Sequence, residues 1–152
     1  HGEHFFRGLS LTGLDHSSSA TALGRELFAA DPVTFIEASL HNLESMELDP
    51  FDLIISVGTL QSPGIDLQRV VRHITRHLLT IQGSLILGFP NCRWIDGEMI
   101  QGASAPNYTF PELSLLLQHE ASRRRYLNQH RFRVTVTGRE YLFLTAHPIN
   151  RT

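Results

Sequence analysis

Two apolar runs, Phe51-Asp-Leu-Ile-Ile-Ser-Val57 and Ser84-Leu-Ile-Leu-Gly-Phe89, constrain this chain most. A strand that is apolar at successive positions needs cover on both faces, which is the pattern of a parallel sheet flanked by helices. The residues between the runs supply such a helix. Asp66 reads as its N-cap, and Val70, Val71, Ile74 and Leu78 form one stripe, with Arg72, His73 and Arg76 around it. The spacing predicts a helix over Leu67–Leu79, closed at Gln82-Gly83, and hence a β-α-β unit.

The same alternation extends in both directions. Leu9–Leu14 is a short alternating strand ending at Asp15, and His-Ser-Ser-Ser after it suits the start of a helix over Ala20–Ala30. Asp31-Pro32 breaks that helix, Val33–Glu37 is rich in β-branched residues, and His41–Leu48 reads as a short polar connection. Gly58 closes the third strand and Pro90-Asn91 the fourth. Residues 93–110 show little periodicity and read as a long loop. A helix with Pro111 in its first turn runs to about His130, and two alternating strands, Phe132–Val136 and Tyr141–Thr145, flank Thr137-Gly-Arg-Glu140 as a hairpin. The order argues one α/β domain over residues 1–152, built as a three-layer sandwich.

Composition then removes several chemistries. With 152 residues, 41% of them hydrophobic and 18% charged, the chain reads as one globular domain. No apolar run approaches the ~18 residues of a membrane span. Cys92 is the one cysteine, so neither an internal disulfide nor a CxxC site is available, and a reducing, cytoplasmic setting is expected. All 13 basic residues are arginine. Without lysine there is no Schiff-base lysine and no GxxxxGK[ST] phosphate loop. The net charge of −2 is unevenly spread: residues 121–152 hold seven Arg against Glu140 alone. That end is the one a polyanion would see favourably.

The order β α β β α β loop α β β, with its closing hairpin FRVTVTGREYLFLTA and the stretches FDLIISVGTLQSP and RHLLTIQGSLILGFPNCR, resembles the class I S-adenosylmethionine-dependent methyltransferase core from its second strand onward. The resemblance implies S-adenosylmethionine as cofactor and methyl transfer to an acceptor, either a small molecule or RNA, by in-line displacement helped by alignment and desolvation. Asp15 in TGLDHS falls at the position whose carboxylate accepts both ribose hydroxyls. Ser39 and Leu40 fall at the adenine side, with a hydroxyl where relatives commonly carry an acid. Ser56, Val57 and Gly58 fall beside the methionine part. Many relatives carry a His near the position of Gln61, and no general base is evident, so the catalytic residue is unknown. The family's first strand and GxGxG-like turn should precede Asp15, where only fourteen residues stand. On this reading the chain is expected to be a fragment or a truncated relative, with strand edges left unpaired and a homodimer as one way of covering them.

Each candidate has a plainer reading beside it. Asp15 can be a helix cap, and Gly58 a strand terminator. In the loop, Arg93, Trp94, Asp96 and Tyr108 can orient and stack on a planar substrate at the carboxyl edge of the sheet, or can simply pack over that edge. His73 and His77 stand four apart, as metal ligands do, but no third ligand accompanies them and no metal site is expected. Arg123–Arg125 with Arg131 and Arg133 can contact RNA phosphates, yet consecutive arginines point around a helix, which favours a solvated helix end. Two other functions stand beside methyl transfer: a noncatalytic methyltransferase-like binding module, and a nicotinamide-binding Rossmann domain, the latter disfavoured by the terminal hairpin.

Overall fold

In the computed structural model of the chain, residues 8–60, 64–90, 94–95, 98–99, 124–138 and 141–149 are described, and the chain divides into two units, residues 1–47 and 48–152. The first is a β-α-β unit: strand β1 (Leu11–Asp15), helix α1 (Ser18–Leu27) and strand β2 (Val33–Glu37), then a single tight turn over Leu40–Ser45. β1 and β2 are parallel, with Leu11 opposite Val33 and Asp15 opposite Glu37. α1 begins two residues earlier than its apolar spacing suggests because Ser17 caps it, its hydroxyl accepting from the Ala20 N–H at 3.3 Å. The helix also stops short of Ala30: Phe28 leaves the helical conformation, with its ring centroid 6.0 Å from that of Phe35.

Phe35 organises this unit. A Cβ added at Gly24 would meet the Phe35 ring at 2.7 Å, so the helix lies on the aromatic ring only because residue 24 has no side chain. The Arg25 guanidinium donates to the Phe35 carbonyl at 2.9 Å, tying the same helix turn to the strand.

The second unit holds strand β3 (Phe51–Val57), helix α2 (Leu67–His73) widening into a π turn over Ile74–Leu78, strand β4 (Leu79–Pro90), two short strands β5 (Trp94–Ile95) and β6 (Glu98–Met99), and strands β7 (Phe132–Gly138) and β8 (Tyr141–Pro148). Residues 124–129 are helical and are labelled α3. The main sheet has the order β3-β4-β8-β7. β3 and β4 run parallel; β8 is inserted antiparallel between β4 and β7. This is the mixed α/β sheet with a closing antiparallel hairpin that the sequence implies.

Three expectations need correction. The helix predicted to Leu79 is regular only to His73, after which the Leu79 N–H reaches back to the Ile74 carbonyl and the chain enters a strand at once. β4 therefore starts at Leu79 and not at Ser84, and Gln82-Gly83 lies within it instead of ending the helix. Phe51 pairs with Leu79 while Leu53 pairs with Ser84, so the residues between are accommodated as an irregularity of β4, with Ile81 97% exposed. Finally, the loop expected over 93–110 contains the β5–β6 pair, where Trp94 stands opposite Met99. The remainder of that loop, and the helix expected from Pro111, lie outside the described residues apart from α3.

Burial separates the two faces of the main sheet. Leu85, Leu87, Phe89, Phe132, Val134, Leu144 and Ala146 alternate along β4, β7 and β8 and are buried. The apolar stripe of α2 and its π turn (Leu67, Val70, Val71, Ile74, Leu78) and Leu127 of α3 are buried in the same unit and form the helical side of that core. α2 and α3 meet where the Thr75 hydroxyl lies 3.4 Å from the Tyr126 hydroxyl. On the other face of β3, Leu53, Ile55 and Val57 are exposed. β1 and β3 each carry one partner strand among the described residues.

Two substitutions probe these cores. Leu87→Ala removes a side chain with no exposed surface and is expected to destabilise the second unit by about 2–5 kcal/mol in urea unfolding. Gly24→Ala would ordinarily stabilise a helix interior by up to about 1 kcal/mol, but the added methyl collides with Phe35, so a net loss of about 1 kcal/mol or more is expected.

Candidate functional site

The groups proposed for the cofactor fall at the carboxyl ends of parallel strands, where open α/β sheets bind ligands. In the first unit Asp15 is the last residue of β1 and Ser39 and Leu40 follow β2, with the Ala38 N–H donating to the Asp15 carbonyl at 2.9 Å. The structure thus brings these three to one edge of the β1–β2 pair.

Asp15 is half exposed, its side chain retaining 52% of its accessible surface. Its Oδ1 accepts from the Ser17 N–H at 2.8 Å and lies 3.6 Å from His16 Nδ1. Among the described residues nothing donates to Oδ2. The helix cap is Ser17 and not Asp15, so the carboxylate fixes the turn before α1 with one oxygen and presents the other outward. Ser39 is half-buried, and its hydroxyl accepts from the His41 N–H at 3.3 Å, capping the Leu40–Ser45 turn. Leu40 is half-buried beside it, and His41 and Asn42 are exposed.

Two neighbours escaped the sequence reading. Glu37, exposed at the end of β2, stands opposite Asp15 in register, which puts a second carboxylate on the same edge. His16 is 85% exposed next to Asp15. The alternation of VTFIE ends on Glu37, which is the signal in the sequence that marks it.

In the second unit Ser56 and Val57 end β3, and Gly58 follows with φ 71°, in the left-handed region that favours glycine. Its N–H donates to the Gly88 carbonyl at 3.2 Å, so the β3–β4 ladder continues one residue past the strand before the chain turns away. Ser56 is half-buried, whereas Val57 and Gly58 are exposed. The backbone can therefore be approached closely at this edge. Of the loop residues, Trp94 is placed in β5 by its backbone; Arg93, Asp96 and Tyr108 lie outside the described residues, as does Gln61.

His73 and His77 stack with ring centroids 5.0 Å apart, and among the described residues His73 Nε2 is buried without a hydrogen-bond partner. Among the described residues no three His, Cys, Asp or Glu side chains stand together as a metal site would require. Among the same residues no helix is long and apolar enough to cross a membrane.

A family model described as a methyltransferase domain matches residues 3–87, from before β1 into β4. Solved structures share the architecture at low identity. A putative rRNA methylase from Clostridium thermocellum is 16% identical, with 94% of this chain and 74% of that one covered and a TM-score of 0.59. The magnesium protoporphyrin IX methyltransferase of Synechocystis PCC 6803, solved with bound S-adenosylmethionine, is 20% identical over 94% of this chain and 61% of its own, at a TM-score of 0.57. The plantazolicin methyltransferase BpumL, solved with a desmethyl substrate analogue and S-adenosylhomocysteine, reaches a TM-score of 0.66 at 13% identity, covering 97% and 72%. The chain thus spans about three fifths of the Synechocystis enzyme's length. No curated protein matches it in sequence. With more than half its residues inside the matched domain, a sheet ordered β3-β4-β8-β7, and these shared architectures, the chain belongs to the methyltransferase-domain family of class I, S-adenosylmethionine-dependent fold.

Proposed function

We propose that this chain is the methyl-transferring domain of an enzyme that uses S-adenosylmethionine, and that Asp15 is its principal cofactor-binding side chain. The observation that carries the proposal is the state of Asp15: a half-exposed carboxylate at the end of a parallel strand, with one oxygen held by the Ser17 N–H and the other without a donor among the described residues. Such a group is preoriented to accept ribose hydroxyls. Leu40 offers an apolar side for the adenine, with the Ser39 hydroxyl next to it but engaged in its turn. Glu37 is a further acceptor on that edge. Ser56, Val57 and the left-handed Gly58 allow the backbone at the end of β3 to lie against the methionine portion.

When bound, S-adenosylmethionine supplies a methyl group activated by its sulfonium sulfur. The chain's own part is to bind, align and exclude water, which suffices when the acceptor is already nucleophilic. None of the candidate positions supplies an evident general base. Of the two acceptor classes, RNA is favoured over a small molecule by the arginine-rich second unit, and relatives described as rRNA methylases support that choice. We place the substrate-side contacts on Arg93, Trp94, Asp96 and Tyr108, by their position after β4.

A noncatalytic binding module of the same fold is the second reading. The nicotinamide-binding alternative fits less well, because β8 lies antiparallel within the sheet.

Calorimetric titration with S-adenosylhomocysteine tests the proposal. Asp15→Ala is expected to weaken binding about tenfold or more, the effect of losing hydrogen bonds to a charged acceptor. Asp15→Asn, which keeps the bond from the Ser17 N–H, should lose affinity while melting as the parent does. Binding that survives both substitutions unchanged removes Asp15 from the site, and a folded chain that does not bind at all favours the noncatalytic module.

A further inference from the structure

The arginines of the second unit raise a question that the methyl-transfer reading leaves unanswered. α2 and its π turn expose Arg72, Arg76 and His77, and α3 exposes Arg124, Arg125 and His130. The Thr75 and Tyr126 hydroxyls, 3.4 Å apart, bring the π turn and α3 into contact; Thr75 adjoins Arg76 in sequence, and Tyr126 adjoins Arg125. Around a single helix, consecutive arginine side chains diverge. Two helical segments in contact at Thr75 and Tyr126 add arginines from both sides of that contact.

Charge on this layer has one sign. No carboxylate occurs in residues 67–79 or 124–138, and among the described residues none of Arg72, Arg76, Arg124, Arg125, Arg131 and Arg133 is in an ion pair. The patch ends at Arg131, whose left-handed backbone (φ 66°) turns the chain into β7; Arg133, alternating with the buried Phe132 and Val134, stands on the other face of the sheet, opposite His147 in the β7–β8 ladder. By contrast, residues 1–47 hold seven carboxylates and two arginines.

Aromatic rings are interleaved with the arginines. Tyr126 and His130 have ring centroids 4.0 Å apart, with His130 Nδ1 2.8 Å from the Tyr126 carbonyl. His73 and His77 form a second such pair. Guanidinium groups match phosphate oxygens in geometry, and paired rings offer faces for unstacked bases. A membrane surface would call for exposed apolar side chains to insert, and the exposed large apolar residues do not include any in α2, its π turn or α3.

We infer that this layer, formed by Arg72, Arg76, Arg124 and Arg125 on either side of the Thr75–Tyr126 contact and extended by Arg131, is a binding surface for single-stranded RNA. Its position is informative. Arg131 lies just before β7, at the end of the sheet where β4 enters its ladder, whereas Gly58 lies at the opposite end of the strands. Gly138 stands six residues beyond Phe132, so the two ends are about 20 Å apart. The surface therefore holds RNA away from the carboxyl edge and leaves that edge free. The choice of RNA as occupant rests on the acceptor class proposed above; the surface itself does not.

The test measures binding of a fluorescent single-stranded RNA of about 20 nucleotides to the full chain without cofactor, so that it fails or succeeds independently of methyl transfer. Affinity should fall steeply with salt. The combined variant Arg72→Gln, Arg76→Gln, Arg124→Gln, Arg125→Gln should bind at least about tenfold more weakly and lose up to about 3 from the log–log salt slope, near 0.7 for each phosphate contact removed. The corresponding Lys variant should retain most of the affinity, and circular dichroism and melting should show all three proteins folded. If the Gln variant unfolds, the parent's salt slope and competition decide: displacement of the RNA by polyglutamate or by phosphatidylserine vesicles at equal charge concentration overturns the assignment. So does a parent that leaves RNA unbound at low salt, or a folded Gln variant that binds as the parent does.

Discussion

The second unit depends on β4. One face of this strand, Leu85, Leu87 and Phe89, is buried, and its two edges are engaged in different senses, parallel to β3 and antiparallel to β8. Each ladder fixes something that the other cannot. The parallel ladder requires a crossover, which α2 supplies, and sets the end of β3 and Gly58 at the carboxyl edge. The antiparallel ladder brings the end of the chain back between β4 and β7, covering an edge that would otherwise remain open to unspecific pairing.

That arrangement was legible where apolar periodicity was strong. FDLIISV and SLILGF announce strands, and the stripe Val70, Val71, Ile74, Leu78 announces the crossover helix, all found within a few residues of expectation; the cover expected on both faces is not found for β3, whose Leu53, Ile55 and Val57 are exposed. The places that were misread are those where local propensity and ladder pairing compete. Residues 79–83 continue a helical pattern and then carry Gln-Gly, a reasonable stop signal. The pairing of Phe51 with Leu79 nevertheless draws them into β4. Such long-range pairing leaves little mark on a five-residue window.

The candidate site was legible in a different way. Asp15 could be singled out from TGLDHS, but its environment could not: the sequence allowed it to be the helix cap, and the structure gives that role to Ser17. The distinction matters chemically. A cap carboxylate would spend its acceptor capacity on the helix N-terminus, whereas here the helix is capped by a hydroxyl and the carboxylate makes one bond to the turn. Ser39 went the other way. Its hydroxyl is engaged by the His41 N–H, and the carboxylate opposite Asp15 is Glu37, supplied by the strand itself. Sheet register thus sets a carboxylate beside the Ser39 position that the strand's own alternation carries.

Charge is where sequence and structure differ most in what they allow one to conclude. Along the chain, Arg72 and Arg76 are separated from Arg124 and Arg125 by nearly fifty residues, and each pair alone is an ordinary solvated helix face. A polyanion responds to the summed field of charges within roughly a Debye length, about 8–10 Å, and not to sequence distance. The contact between Thr75 and Tyr126 brings together the immediate sequence neighbours of Arg76 and Arg125. Its cost is self-repulsion among arginines with no acid in the same segments, which adds nothing to the apolar core beneath. A fold selected for stability alone would gain from interspersed carboxylates on such a face. Keeping Arg72, Arg76, Arg124, Arg125 and Arg131 with no acid in the same segments is therefore better accounted for by an anionic partner than by packing.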